Sequence, residues 1–253
     1  MKQTILANLL PQDCFVCGSQ NAQGSSQKSL LCSACEATLP RLSSPLHPYS
    51  CPVCALPTST FIPIGSSCGS CLKEPPHYDS TLALFSYEFP IEHLIQALKY
   101  QHRLPLAHLF AEQFIQALAQ RRGKEEQKEK ELNDLSIDYF IPLPLHRLRL
   151  KERGFNQAVE IARELTRIYK IPLLADVCTR ELNTAPQASL PWKERRKNVR
   201  GAFHCSVDLT GKSVAVIDDV MTTGATLDEF ARTLKKHGAT KVCNWVVART
   251  LKT

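Results

Sequence analysis

Val214-Ala215-Val216-Ile217-Asp218-Asp219-Val220-Met221-Thr222-Thr223-Gly224-Ala225-Thr226 joins an apolar run to two acids and then to a small, hydroxyl-rich loop. Four apolar residues in succession predict a strand covered on both faces, and the amphipathic segment that follows completes a strand-loop-helix unit of a parallel sheet. Such sheets bind ligands at the carboxyl ends of their strands. A carboxylate there accepts hydrogen bonds from two vicinal hydroxyls, so Asp218 and Asp219 at the strand exit suit a ribose diol. Thr222, Thr223 and Thr226 offer hydroxyl donors, and Gly224 lets the backbone approach closely. With the free N–H groups of the next helix aimed at the same spot, the loop suits a phosphate monoester.

This segment resembles the PRPP-binding motif of type I phosphoribosyltransferases: an apolar strand, two acids, two spacers, then Thr-Thr-Gly-x-Thr. The resemblance implies that Asp218 and Asp219 hold the ribose hydroxyls, and that Met221, Thr222, Thr223, Gly224, Ala225 and Thr226 form the 5′-phosphate loop. An ordinary buried strand ending in solvated acids does not account for thirteen residues matching in order. Gly211-Lys212-Ser213 looks like the tail of a P-loop, but Ser206 stands where that loop needs its first glycine, and the strand follows instead of preceding it.

Upstream, eight of the eleven cysteines form four Cys-x-x-Cys pairs: Cys14/Cys17, Cys32/Cys35, Cys51/Cys54 and Cys68/Cys71. Fourteen residues separate the first two pairs and thirteen the last two. The simplest arrangement is two consecutive structural Zn²⁺ sites of four thiolates each. Pairing the first with the third and the second with the fourth uses the same ligands, and spacing does not separate the two. A disulfide framework is the competing reading, disfavoured by the lack of a signal peptide.

At 253 residues with 43% hydrophobic composition, the chain can bury one or two cores. No apolar run approaches the ~18 residues of a membrane span, and Ile5 to Leu10 is too short for a signal peptide, so the expected location is cytoplasmic, without membrane insertion. Residues 1 to 80 balance Lys2, Lys28, Arg41 and Lys73 against Asp13, Glu36, Glu74 and Asp79, so the net +7 resides in residues 81 to 253. Two zinc tetrathiolates would bring the cysteine module to about −4, which argues against a generic basic zinc finger.

Pro75-Pro76 marks a boundary between a 1–76 double zinc-ribbon module and a 77–253 domain. Asp79 to Phe89 reads as a strand. Ile91, Leu94, Ile95 and Leu98 fall at helical spacing, and a second helix follows with Leu106, Leu109, Phe110, Phe114 and Leu118. A charged insert spans about 121–134, with five basic and four acidic residues between Arg121 and Glu131. Ile137 to Leu143 predicts a strand, Ala158, Ile161, Ala162, Leu165 and Ile168 a helical face, and Leu173 to Cys178 a second strand. Val214 to Ile217 and Val242 to Ala248 flank a helix with Leu227, Phe230, Ala231 and Leu234 inward, closed by Gly238. The alternation implies an α/β fold with a mostly parallel sheet. Cys178, Cys205 and Cys243 read as buried thiols.

Pro142-Leu143-Pro144-Leu145-His146 ends one strand, and Arg147, Arg149, Lys151 and Arg153 precede Gly154-Phe155-Asn156-Gln157. Four cations at a strand terminus can neutralise a diphosphate; alone they could equally form a solvated turn. Thr184 to Leu190 has the composition of a flap and leads into the basic run Lys193 to Arg200. In this order, with the cysteine pairs, Leu98-Lys99-Tyr100 and Arg196 to Phe203, the chain resembles the ComF family of phosphoribosyltransferase-like proteins of bacterial DNA uptake. Ala55 departs from the glycine that often follows a zinc knuckle. The resemblance implies a type I phosphoribosyltransferase-like core behind a zinc ribbon. It puts Pro144, Leu145 and His146 on the pyrophosphate side, Arg153 on the diphosphate and Gln187 on the flap, with Mg²⁺ accompanying PRPP.

Two functions follow as expectations: handling of incoming single-stranded DNA around a PRPP-type pocket, or phosphoribosyl transfer to an acceptor that the sequence does not specify. No residue stands out as a general base. Phe155, Trp192 and Phe203 lie among the basic clusters and could stack bases, with core packing the expected fate of each taken singly. The zinc module is a possible docking platform for the DNA-uptake helicase or other competence proteins.

Overall fold

The computed structural model describes residues 13–19, 30–42, 50–59, 61–63, 65–122, 136–183 and 199–251. Its strands are β1 (Ser80–Ser86), β2 (Tyr139–Pro142), β3 (Cys178–Arg180), β4 (Phe203–Cys205), β5 (Ser213–Met221) and β6 (Lys241–Arg249). Its helices are α1 (Ser33–Ala37), α2 (Gly69–Lys73), α3 (Ile91–Gln101), α4 (Pro105–Arg122), α5 (Arg147–Arg153), α6 (Gln157–Tyr169) and α7 (Ala225–Lys236). One sheet runs β1-β6-β5-β2 with every neighbour parallel, and β3 pairs with β4 in a separate antiparallel ribbon.

The central strand β5 is apolar because both of its faces are covered. Ala215 and Ile217 pack in one layer with Leu94, Leu98, Phe110, Phe114 and Ile161 of α3, α4 and α6. Val214 and Val216 alternate to the other side and meet Leu227, Phe230, Ala231 and Leu234 of α7. Trp245 of β6 anchors the first layer, its ring centroid 5.4 Å from Phe140, 5.6 Å from Phe114 and 5.9 Å from Tyr169. Cys178, Cys205 and Cys243 are buried, and all eleven cysteines are free.

The cysteine module lies along the open edge of β1. Leu42 N–H donates to the Leu84 carbonyl at 2.8 Å, Ser86 N–H to the Pro40 carbonyl at 2.9 Å and Thr81 N–H to the Pro52 carbonyl at 3.0 Å. Leu30, Leu31 and Leu39 join the same apolar cluster as α3 and α4. The groups of an edge strand that would otherwise template aggregation are thereby occupied.

Two expectations need correction. The strand carrying the acids continues to Met221, because β6 pairs beside it as far as Arg249; Asp218 and Asp219 therefore lie within the strand, near its carboxyl end and before its loop begins to turn at Thr222. Leu173 to Val177 is not a strand: a single parallel bridge joins Leu173 to Phe140, since Pro142 and Pro172 lack the N–H groups a longer ladder needs, and Cys178 opens β3 instead. Phe203 takes the core-packing fate expected of it and offers no ring for base stacking. It is buried with its ring 4.9 Å from that of Phe230. The flap with Gln187, Trp192, most of the basic run Lys193 to Arg200, the charged insert beyond Arg122, and Ile5 to Leu10 lie outside the described residues. Among the described residues no helix is long and apolar enough to cross a membrane.

Candidate functional site

Asp218 and Asp219 are both buried, at 8% and 3% exposure. Successive strand residues point to opposite faces, so the two carboxylates meet different neighbours. Asp219 contacts the Lys99 ammonium, delivered by the last turn of α3, and accepts a hydrogen bond from Gln157 Nε2 at 2.9 Å. Gln157 Oε1 in turn accepts from Arg153 Nη1 at 2.5 Å, and the Arg153 guanidinium lies 5.2 Å from the exposed Tyr100 ring. Burial opposes ionisation of Asp219, but the charge and hydrogen bond of Lys99, with that of Gln157, outweigh it and hold the carboxyl below the usual range. Asp218 accepts from the Asp219 N–H at 2.9 Å. Burial, then the charge of Asp219, push its carboxyl well above that range.

The loop after β5 turns at Gly224, whose φ is +85°, a region that disfavours residues with a Cβ. A Cβ there would also stand 2.6 Å from the end of the Met221 side chain and 3.0 Å from the Tyr78 hydroxyl. Thr222 is exposed, while Thr223 and Thr226 are half-buried. Thr223 Oγ1 accepts from Ala225 N–H at 3.4 Å, and no side chain caps α7, so its first turn presents N–H groups to the space in front of the loop. Arg249, buried at the end of β6, donates to the carbonyls of Met221 at 3.0 Å and Thr222.

On the opposite side of the acids, Pro144 and His146 are buried and Leu145 half-buried. His146 caps α5 by accepting from Leu148 N–H at 3.3 Å and forms a parallel bridge with Arg180 of β3. Asn156 caps α6 through Ala158 N–H at 2.9 Å, while its Nδ2 donates to the Leu143 carbonyl at 3.0 Å and fixes α6 to the end of β2. These contacts bring Arg153, Gln157, Lys99 and the two acids together. Arg147 and Lys151 face solvent instead.

The cysteines separate into Cys14, Cys17, Cys32, Cys35 and Cys51, Cys54, Cys68, Cys71, with all sulfurs of each set within 4.8 Å of one another. The consecutive pairing is the one that forms. A zinc tetrahedron with Zn–S of about 2.3 Å requires S···S near ~3.8 Å. Cys17 to Cys32 measures 3.8 Å, Cys51 to Cys71 4.0 Å and Cys54 to Cys68 3.7 Å. Without a cation the second set cannot ionise together: burial and the charge of Cys51 push the Cys71 thiol up to about 12. Both sets fit Zn²⁺.

Lys99 and Arg249 carry contacts that the sequence reading did not assign to them. Lys99 stands in a helix beside Leu98, where an amphipathic pattern reads as solvated surface. In place it is half-buried, with its ammonium against the Asp219 carboxylate of β5. Arg249 ends an apolar strand and is distinguishable only once β6 is placed beside the loop.

A family model described as "Double zinc ribbon domain" matches residues 5–72, and one described as "Phosphoribosyl transferase domain" matches residues 150–252. Competence protein F of Haemophilus influenzae is 31% identical over 225 residues, covering 88% of this chain and 91% of the relative. DNA utilization protein YhgH of Escherichia coli strain K12 is 32% identical over 203 residues, 79% and 84% of the two chains. Competence protein ComFC of Bacillus subtilis is 24% identical, covering 94% and 95%. With paired four-cysteine centres ahead of a parallel α/β core, and this identity across almost all of its relatives' length, the chain belongs to the ComF family of competence and DNA utilization proteins.

Proposed function

We propose that this protein binds PRPP with Mg²⁺ at the Asp218–Asp219 site and acts on single-stranded DNA in the cytoplasm during DNA uptake or use. One observation carries the PRPP reading: two buried acids at the carboxyl end of a central parallel strand, one loop from an uncapped helix N-terminus. Ribose hydroxyls replace Lys99 and Gln157 as partners of Asp219, and those cations and donors turn to the diphosphate with Arg153. The metal neutralises diphosphate charge when bound. A crystal structure grown with PRPP and Mg²⁺ tests the assignment. The ribose diol is expected on Asp218 and Asp219, with the 5′-phosphate on the N–H groups and hydroxyls of residues 222–226. Ligand seated elsewhere would overturn it.

Support for the DNA part comes from the relatives' names and from the net +7 that resides beyond residue 80. Fluorescence anisotropy with a labelled oligonucleotide is expected to report binding that weakens steeply as salt rises from about 50 to about 200 mM; no binding at low salt removes it. The second reading, phosphoribosyl transfer to an acceptor, is favoured by the undamaged acid pair and loop. Pyrophosphate release from PRPP in the presence of candidate bases separates it from binding alone. The zinc module, with its nominal negative charge, is the surface offered to a DNA-uptake helicase or another competence protein.

A further inference from the structure

Arg249 is 2% exposed. Its Nε donates to the Cys54 carbonyl at 3.1 Å, and its Nη1 to the carbonyls of Met221 at 3.0 Å, Thr250 at 3.1 Å and Thr222. Cys54 belongs to the second four-cysteine set, whereas Met221 and Thr222 open the phosphate loop. One guanidinium thus joins the metal knuckle to the loop directly. Between them lies a cavity of about 380 Å³ whose lining includes Cys54, Cys71, Tyr78, Gly224, Asp228 and Arg249. Beside this cavity Met221 packs in one apolar cluster with Ala55 and Tyr78, and Arg249 adds the hydrogen bonds that cross from the Cys54 carbonyl to the loop.

The acceptors at Nε and Nη1 of Arg249 are neutral carbonyls and do not cancel its charge. The anions able to do so flank it: a zinc tetrathiolate, nominally −2, on one side and a 5′-phosphate on the other. A lysine in its place has a single point of attachment and cannot span both carbonyl sets.

We propose that Arg249 is a positioning residue that couples metal occupancy of the second four-cysteine site to the phosphate loop, so that the loaded knuckle holds the loop ready for a 5′-phosphomonoester. The coupling rests on the ribose-phosphate reading of the site. Coupling between two binding equilibria is reciprocal, so ribose 5-phosphate must tighten zinc at that knuckle by the factor with which zinc tightens ribose 5-phosphate.

The test uses the full-length, zinc-loaded chain in equilibrium competition with a chromogenic chelator, with and without saturating ribose 5-phosphate, alongside direct titration of ribose 5-phosphate. One of the two zinc equivalents is expected to bind about tenfold more tightly with the sugar phosphate, a factor typical of such coupling, and the other to stay unchanged. Arg249→Lys is expected to abolish that difference and to bind ribose 5-phosphate about tenfold more weakly, in the same range. Unchanged zinc affinity in a wild-type protein that binds ribose 5-phosphate overturns the coupling and leaves the ribose-phosphate reading standing. Equal tightening of both equivalents, or coupling that survives in Arg249→Lys, also overturns it. A wild-type protein that does not bind ribose 5-phosphate overturns both. The wild-type comparison decides the matter even if the variant fails to fold.

Discussion

Asp218 and Asp219 are adjacent in the chain but respond to pH in opposite senses. Asp219 is ionised against Lys99, so its contribution to stability is present above the ordinary carboxylate range and is lost as pH falls through its depressed pKa. Asp218 has its pKa raised by burial and by the charge of Asp219, so stability is full in acid and is lost as pH rises toward the folded-state pKa. Asp218→Asn is therefore expected to raise the melting temperature at neutral pH by roughly 2–4 °C, for a gain of about 1 kcal/mol, while PRPP binding is lost. A lower melting temperature would show that Asp218 is stabilised as an anion. Lys99→Met leaves a buried, unpaired carboxylate and is expected to destabilise by about 3–5 kcal/mol at pH 8. The loss shrinks at pH 5, where Asp219 can take up a proton; denaturant melts at the two pH values check this. The acid pair was legible in the sequence because its neighbours in the chain define it. Its partners Lys99 and Gln157 arrive on other helices, and no local pattern announces them.

Among the elements, β5, β6 and α7 were readable because apolar runs and a helical stripe recur over several residues. The antiparallel ribbon of β3 and β4 was not. Each strand has three residues and their partners are distant in sequence, so no periodicity develops. Leu173 to Val177 has the composition of a strand, yet Pro172 beside it and Pro142 on the facing strand restrict it to one bridge, which shows tertiary context overruling propensity. Trp245 illustrates what the sheet adds to such local readings: alone it is an aromatic in a strand, but in place it touches three rings contributed by β2, α4 and α6. Trp245→Ala is expected to cost about 3–5 kcal/mol, measured by urea denaturation. A cost below about 1 kcal/mol, well under that range, would mean the first layer packs otherwise.

For the molecule as a whole, the cysteine spacing gave the ligands but left their pairing open, because both pairings obey the same spacing. Folding decides it by setting residues 40–42 and Pro52 against β1. The zinc module consequently does two things: it holds metal and it covers an edge of the sheet. A chain shortened to residues 77–253 is expected to self-associate through the uncovered β1, detected by light scattering after size-exclusion chromatography; a well-behaved monomer would show that the edge needs no cover. The same packing puts the Cys54 carbonyl within reach of the loop that is proposed to hold phosphate. The account depends most on that pocket. Calorimetric titration of PRPP with Mg²⁺ into the wild type and into the Asp218→Ala/Asp219→Ala double variant tests it most directly. Saturable binding by the wild type, with at least a hundredfold loss in a folded, zinc-retaining variant (about 2.7 kcal/mol or more), is the predicted result, and equal binding by the two proteins would contradict it.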